Sequence, residues 1–320
     1  MNFLDTYDLL CAYCDLENTP KDYIQNPIEN CRFCGNDPLH TKFDSSSHAI
    51  PELLGNKKLY SLCECRKCNT KFGEVFEDSF GKFVLPFKII SQIYGKKNFI
   101  HHKESNDELL MKKNRSIFAS EFDNVHTIII GNPDSSMISQ TENGFVMKIE
   151  RQTYIPQLVY FTLLKMAYGI IPNKYYEAFI ISSLELGYIV RDATFIRNKT
   201  DMMHYVNPGF LEFVPGEPAF TTSCYIYKKK DTSSFKYADF LFIVTFGNFS
   251  LQIAVPTDEE RRSNKRATAI PLSHFENSVI STLDFNTVQK DYTCEFEAKI
   301  IPIENLEHIT ELLKKNNLII

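Results

Sequence analysis

Seven of the nine cysteines lie before residue 69, and four of them form two CxxC pairs. The pairs are Cys31-Arg32-Phe33-Cys34 and Cys65-Arg66-Lys67-Cys68, with thirty residues between them. A disulfide framework spreads bridges through a small secreted domain, whereas thiols crowded into one quarter of a 320-residue chain point to metal. Each pair can form a knuckle that sets two sulfurs on one side of an ion, and two knuckles close a tetrahedral four-thiolate zinc site. Gly35, directly after the second thiol, permits the tight turn a knuckle needs. Cys31, Cys34, Cys65 and Cys68 are therefore the expected ligands of one structural Zn²⁺, and the metal supplies folding free energy that so short a segment lacks. Cys11-Ala12-Tyr13-Cys14 is a third pair. It could hold a second metal with His40 or Cys63, compete for Cys65 and Cys68, or be a reduced pair on a short N-terminal helix.

Charge is uneven along the chain. The whole carries −5 at a pI of about 5.9. Residues 1–52 hold three basic and nine acidic side chains, whereas residues 53–103 hold ten basic and four acidic. A local positive segment in an acidic chain suits contact with phosphates rather than a uniformly basic coat. Lys57, Lys58, Arg66, Lys67, Lys71 and Lys82 lie on or beside the proposed finger and are the expected nucleic-acid contacts. The apolar share of 43% is enough for a sizeable core and excludes a mainly disordered chain. No run of about 18 apolar residues offers a membrane span. The N-terminus carries acids early and lacks a signal-peptide pattern, so the cytoplasm is the expected location and no membrane partner is expected.

The length suggests two domains. Residues 1–105 are cysteine- and turn-rich. Residues 106–320 read as mixed α+β, with a role in recognition, dimerisation or sensing. Residues 107–118 carry a polar helical pattern. Helical spacing of Val159, Leu163, Met166, Ala167 and Ile170, then of Tyr176, Phe179, Ile180 and Leu184 beyond Pro172, predicts a helical hairpin over 155–190. Strands are expected at 126–130, 145–149 and 294–303. Gly247-Asn248 between two apolar runs predicts a tight β-hairpin. A closing helix is expected over 306–315.

Between the two knuckles lies Ser47-His48-Ala49-Ile50-Pro51-Glu52-Leu53-Leu54-Gly55-Asn56. Beyond the second knuckle Asn69 is followed by Phe72, Phe76, Phe80 and Phe83 on one helical face. CxxCG, then His-x-Ile-Pro-Glu-x-x-Gly, then CxxCN and Phe-Gly over about residues 31–85 resemble the HNH endonucleases. These belong to the His-Me finger, or ββα-metal, class, and the similarity is to its four-cysteine zinc branch. The resemblance implies a treble-clef-like zinc finger at the N-terminus, followed here by the helical hairpin and antiparallel strands. It also implies a metal-dependent endonuclease that hydrolyses DNA phosphodiesters. His48 would be the general base, and Asn69 would be a ligand of a catalytic Mg²⁺ or Mn²⁺. Double-stranded DNA is the expected partner, RNA the variant, and a homo-oligomer is compatible with the pattern.

Two positions depart from the family pattern. Ser47 replaces the acidic or histidine metal ligand that usually precedes the base. The middle asparagine that orients the base is expected a few residues before Cys65, where Leu59–Glu64 contains none. Asn56 lies further upstream, so backbone carbonyls are the expected support for His48. Glu64, Glu74, Glu77 or Asp78 could then complete the metal shell. The competing reading is a degenerate HNH zinc module that binds nucleic acid or protein without cutting.

Overall fold

The structure, a computed structural model, describes residues 3–16, 19–24, 29–43, 47–91, 93, 101–103, 108–111, 128–130, 138–141, 144–192, 206–215, 218–231, 237–263, 268–286 and 292–298. The fold is α+β. Its principal sheet has six antiparallel strands. These are β1 (Tyr7–Cys14), β9 (Gly209–Phe213), β10 (Phe220–Lys229), β11 (Phe240–Gly247), β12 (Phe249–Ala254) and β13 (Val279–Leu283). They run in the order β1-β10-β11-β12-β9-β13. Strands β11 and β12 are buried along their whole length; β11 accordingly reads as a nearly continuous apolar run, whereas in β12 the buried polar residues Ser250 and Gln252 alternate with apolar ones. The expected hairpin joins them. Gly247 takes a left-handed φ of +55° there, and an added Cβ would meet Ser91 Cβ at 2.2 Å. The turn is docked by the Asn248 N–H donating to Ser91 Oγ at 2.9 Å.

Two short strands, β2 (Asp22–Ile24) and β3 (Leu59–Ser61), pair in parallel within the cysteine-rich part. Strands β4 (His101–Lys103), β5 (Glu108–Met111) and β6 (Ile128–Ile130) form one small sheet. Strands β7 (Ile138–Thr141), β8 (Gly144–Arg151) and β14 (Tyr292–Ala298) form another. The strand at 108–111 replaces the expected helix there, because its backbone pairs on both sides, with β4 and β6. The closing helix expected over 306–315 falls outside the described residues.

The helices are α1 (Phe3–Thr6), α2 (Arg66–Val75), α3 (Glu77–Ile90), α4 (Pro156–Ile170), α5 (Asn173–Tyr176), α6 (Ile180–Arg191) and α7 (Asp258–Arg262). The expected hairpin over 155–190 is α4 to α6. Pro156 opens α4 where its missing N–H costs nothing, and all fifteen residues of that helix are buried. The phenylalanine stripe runs through α2 and α3, which meet at Phe76. Phe72, Phe76, Phe80 and Phe83 are all buried, each contributing about 1.5–3 kcal/mol of burial free energy. Phe76 packs on Phe161 of α4, and Phe87 on Phe249 of β12.

One continuous core joins the zinc-finger segment to the rest. Cys31, Phe33 and Phe72 share it with Leu163, Phe179 and Phe242. Strand β1, from the N-terminal segment, completes the principal sheet by pairing with β10. The first knuckle is also clamped directly. Arg32 is buried and donates to the carbonyls of Tyr168 (2.5 Å) and Ile171 (2.9 Å) at the C-terminus of α4, where a cation suits the helix dipole. Tyr176 Oη donates to the Arg32 carbonyl at 2.9 Å. Gly187 of α6 lies so close that a Cβ there would sit 1.7 Å from the Phe33 carbonyl oxygen. No helix among the described residues is long and apolar enough to cross a membrane.

Candidate active site and zinc centre

The first knuckle turns at Gly35, whose φ is +72° and whose N–H donates to the Cys31 carbonyl at 2.8 Å. The second begins at Cys65, the extended N-cap residue of α2, and places Cys68 in the first turn. The Arg32 N–H donates to the Cys63 carbonyl, and the Cys65 N–H to Cys31 Sγ at 3.3 Å, so the knuckles are tied to each other. The sulfurs of Cys31, Cys34, Cys65 and Cys68 all lie within 4.8 Å of one another. Sulfurs bound tetrahedrally at about 2.3 Å to one Zn²⁺ would sit about 3.8 Å apart. The Cys34 and Cys65 sulfurs are 3.8 Å apart. The donor set fits zinc in number, type and spacing. Its thiols also need a cation to ionise together. The hydrogen bond between Cys68 and Cys31 pulls Cys31 down to about 5 and, with burial, pushes Cys68 upward, while burial pushes Cys34 up to about 11.

Cys11 and Cys14 lie in strand β1 and not on a helix. Cys11 Sγ contacts the Ile170 carbonyl at 3.7 Å, and burial raises its thiol to about 11. The four-cysteine cluster is the only group of three or more His, Cys, Asp or Glu ligands among the described residues, so Cys11 and Cys14 gather no second site there. The suggested partners are engaged elsewhere. His40 contacts Asp37 at 2.6 Å, and Cys63 Sγ lies against Ser61 Oγ and the Gly169 carbonyl.

His48 sits on a short antiparallel ladder ahead of α2, the helix that opens at the second cysteine knuckle. The Ser61 N–H donates to the Ser47 carbonyl at 2.7 Å and the Ala49 N–H to the Leu59 carbonyl at 3.0 Å. Between them His48 bridges Tyr60. Strand alternation sends neighbours to opposite faces. Ser47 and Ala49 are buried, while His48 is partly exposed and its ring lies on Tyr60, centroids 4.6 Å apart. Tyr23 of β2, 43% exposed, stacks against Tyr60, and the Lys21 ammonium lies 4.8 Å from that ring.

The loop from Ile50 to Lys58 explains the His-x-Ile-Pro-Glu-x-x-Gly spacing. A 3₁₀ turn at Glu52–Leu54 ends at Gly55, whose φ of +93° favours glycine. That reversal delivers Asn56 back to the ladder. Its buried amide donates to the carbonyls of Ile50 (2.6 Å) and Leu59 (3.0 Å). Its oxygen accepts from the N–H groups of Lys58 (3.1 Å) and Leu59 (2.9 Å). The same nitrogen lies 3.3 Å from His48 Nδ1. Asn56, and not backbone carbonyls alone, is therefore the support of His48. Linear spacing from Cys65 does not point to Asn56, because the left-handed turn at Gly55 shortens the path in space.

The positions considered for a catalytic cation fare differently. Ser47 is wholly buried, and its hydroxyl finds no hydrogen-bond partner among the described residues. An aspartate there would bury a carboxylate instead of reaching a cation beside His48. Glu64 is committed to Lys165, a contact of 2.8 Å between two buried side chains. Glu74 pairs with Lys71 and Asp78 with Lys82, each at 2.7 Å. Asn69 is half-buried in the first turn of α2, beside Cys68, with its N–H donating to the Cys65 carbonyl. Among the described residues no three His, Asp or Glu side chains gather into a cation site beside His48.

The expected phosphate contacts are divided. Lys57, Arg66 and Lys67 are exposed. Lys58 Nζ donates to the Leu16 carbonyl at 2.6 Å. Lys71 and Lys82 are held by the surface pairs above, which are worth about 0–1 kcal/mol and yield readily to phosphate.

A ladder carrying the histidine, a returning asparagine and a helix anchored by thiolates make a ββα finger. Residues 31–85 match the family model of the HNH endonucleases. The match spans both knuckles, His48, Asn56 and the first half of α3. No curated protein and no solved structure matches the chain.

Proposed function

We propose that the protein is an HNH-type endonuclease that hydrolyses phosphodiester bonds of double-stranded DNA, with His48 as general base and a structural Zn²⁺ at Cys31, Cys34, Cys65 and Cys68. The observation that carries this reading is the support of His48. A partly exposed imidazole is held on a ladder by Tyr60 and by an asparagine whose own hydrogen bonds are filled, one step before a four-thiolate helix start. An imidazole titrates near neutrality and can take a proton from the attacking water. Lys57, Arg66 and Lys67 would dock the phosphate backbone without reading sequence. Asn69 is the proposed contributor to a divalent-cation site.

The second reading is a zinc module that binds nucleic acid without cutting. The inward, buried Ser47 favours it, since the usual ligand beside the base is missing. Supercoiled plasmid incubated with Mg²⁺ or Mn²⁺, with and without EDTA, separates the two. Nicking abolished by EDTA supports the nuclease, and retarded but intact plasmid supports the module.

A further inference from the structure

We infer that Lys165, on helix α4 and far along the chain from the finger, is a positioning residue for His48. The inference rests on the reading of His48 as the base. Lys165 is the only charged side chain in α4, surrounded in sequence by Leu163, Leu164, Met166 and Ala167. It is 5% exposed, and its partner Glu64 is 1% exposed. Burying an ammonium is costly unless it is paired and hydrogen-bonded, so its contacts say what holds it there.

Those contacts converge on the finger. Nζ donates to Glu64 Oε1 at 2.8 Å and to the backbone carbonyl of His48 at 3.4 Å, and it lies 5.9 Å from the Phe72 ring centre. Glu64 directly precedes the zinc ligand Cys65, and Phe72 is on α2. One ammonium thus touches the strand that carries His48, the residue that leads into the second knuckle and the helix α2 that follows it. The ladder fixes His48 against Tyr60, but it does not fix that ladder against α2. Lys165 supplies this second constraint from outside the finger. The other oxygen of Glu64 is buried and has no hydrogen-bond partner among the described residues, so Lys165 is the only hydrogen-bond donor to its carboxylate among them. A base displaced by about 1 Å can lose about 10²-fold in rate, so this contact governs turnover without touching substrate.

The experiment uses the full chain. Lys165→Met strands the Glu64 anion and can cost the fold, so it is paired with the double variant Lys165→Met/Glu64→Gln, which removes both charges together. Zinc content and circular dichroism establish that the double variant is folded. The imidazole resonance of His48, assigned by its loss in His48→Ala, is then followed by two-dimensional NMR, and plasmid cleavage is measured at several DNA concentrations. The expected result is a shifted His48 resonance with kcat lowered at least about tenfold and KM unchanged, the signature of an interaction used only in the transition state. A folded double variant with the parent's His48 resonance and the parent's kcat overturns the inference. If the parent chain does not cut at all, the nuclease reading fails, and the imidazole resonance alone decides whether Lys165 sets the environment of His48.

Discussion

Replacing Asn56 by alanine tests the frame that holds the base. The side chain makes four firm hydrogen bonds, to the Ile50 and Leu59 carbonyls and from the Lys58 and Leu59 N–H groups. The four losses are unequal. The Leu59 carbonyl keeps the Ala49 N–H, and the half-buried Lys58 N–H can turn to water. The Ile50 carbonyl and the Leu59 N–H belong to fully buried residues and are left bare. Two stranded buried groups at about 1–3 kcal/mol each give an expected loss of about 2–6 kcal/mol. The thiolate cluster does not include Asn56, so bound zinc should stay at the parent level. Urea denaturation, followed by far-UV circular dichroism alongside metal analysis, reads both quantities. Cleavage should fall with the stability, because the His48 ring loses its neighbour at Nδ1. A folded Asn56→Ala protein destabilised by less than about 0.5 kcal/mol, the range of an ordinary surface change, would refute the claim that this asparagine holds the loop.

Further outcomes follow from the same geometry. Cys68→Ser should bind about one fewer zinc and render the N-terminal third protease-sensitive, read by metal analysis and limited proteolysis; full zinc retention would refute the ligand assignment. Gly187→Ala should destabilise the chain by about 1–3 kcal/mol or more, because the added methyl meets a backbone carbonyl at 1.7 Å and only a shift of α6 relieves it; an unchanged melting temperature would contradict the close packing of α6 on the first knuckle. DNA binding should weaken steeply between about 50 and 200 mM salt, and neutralising Arg66 and Lys67 together should reduce the salt slope by about 2; a flat salt response would remove this surface from the docking model.

The parts of the fold that are local in sequence were legible there. The CxxC spacing located the four thiols, the phenylalanine stripe located the buried face of α2 and α3, Pro172 marked the break between α4 and α6, and Gly247-Asn248 located a hairpin. What escaped depends on contacts distant in the chain. Strand β1 reads as an isolated thiol pair until β10, its hydrogen-bonding partner, is brought beside it. The stretch at 108–111 has a helical pattern, and sheet pairing on both sides overrides it. Ser47 occupies a ligand position in the linear motif, yet strand alternation turns it inward. Lys165 left one trace in the sequence, a lone charge in a mostly apolar helix, but Glu64 and the His48 carbonyl are needed to give it a purpose.

The most direct test of the account is plasmid cleavage by His48→Ala beside the parent protein, at matched zinc content and with Mg²⁺ or Mn²⁺ present. His48 is not among the zinc ligands, so the variant should fold, keep its zinc and bind DNA as the parent does. Its cleavage rate should fall by about 10²–10⁴, the contribution of a positioned acid–base group. A His48→Ala protein that cuts as fast as the parent would contradict the assignment of His48 as the base.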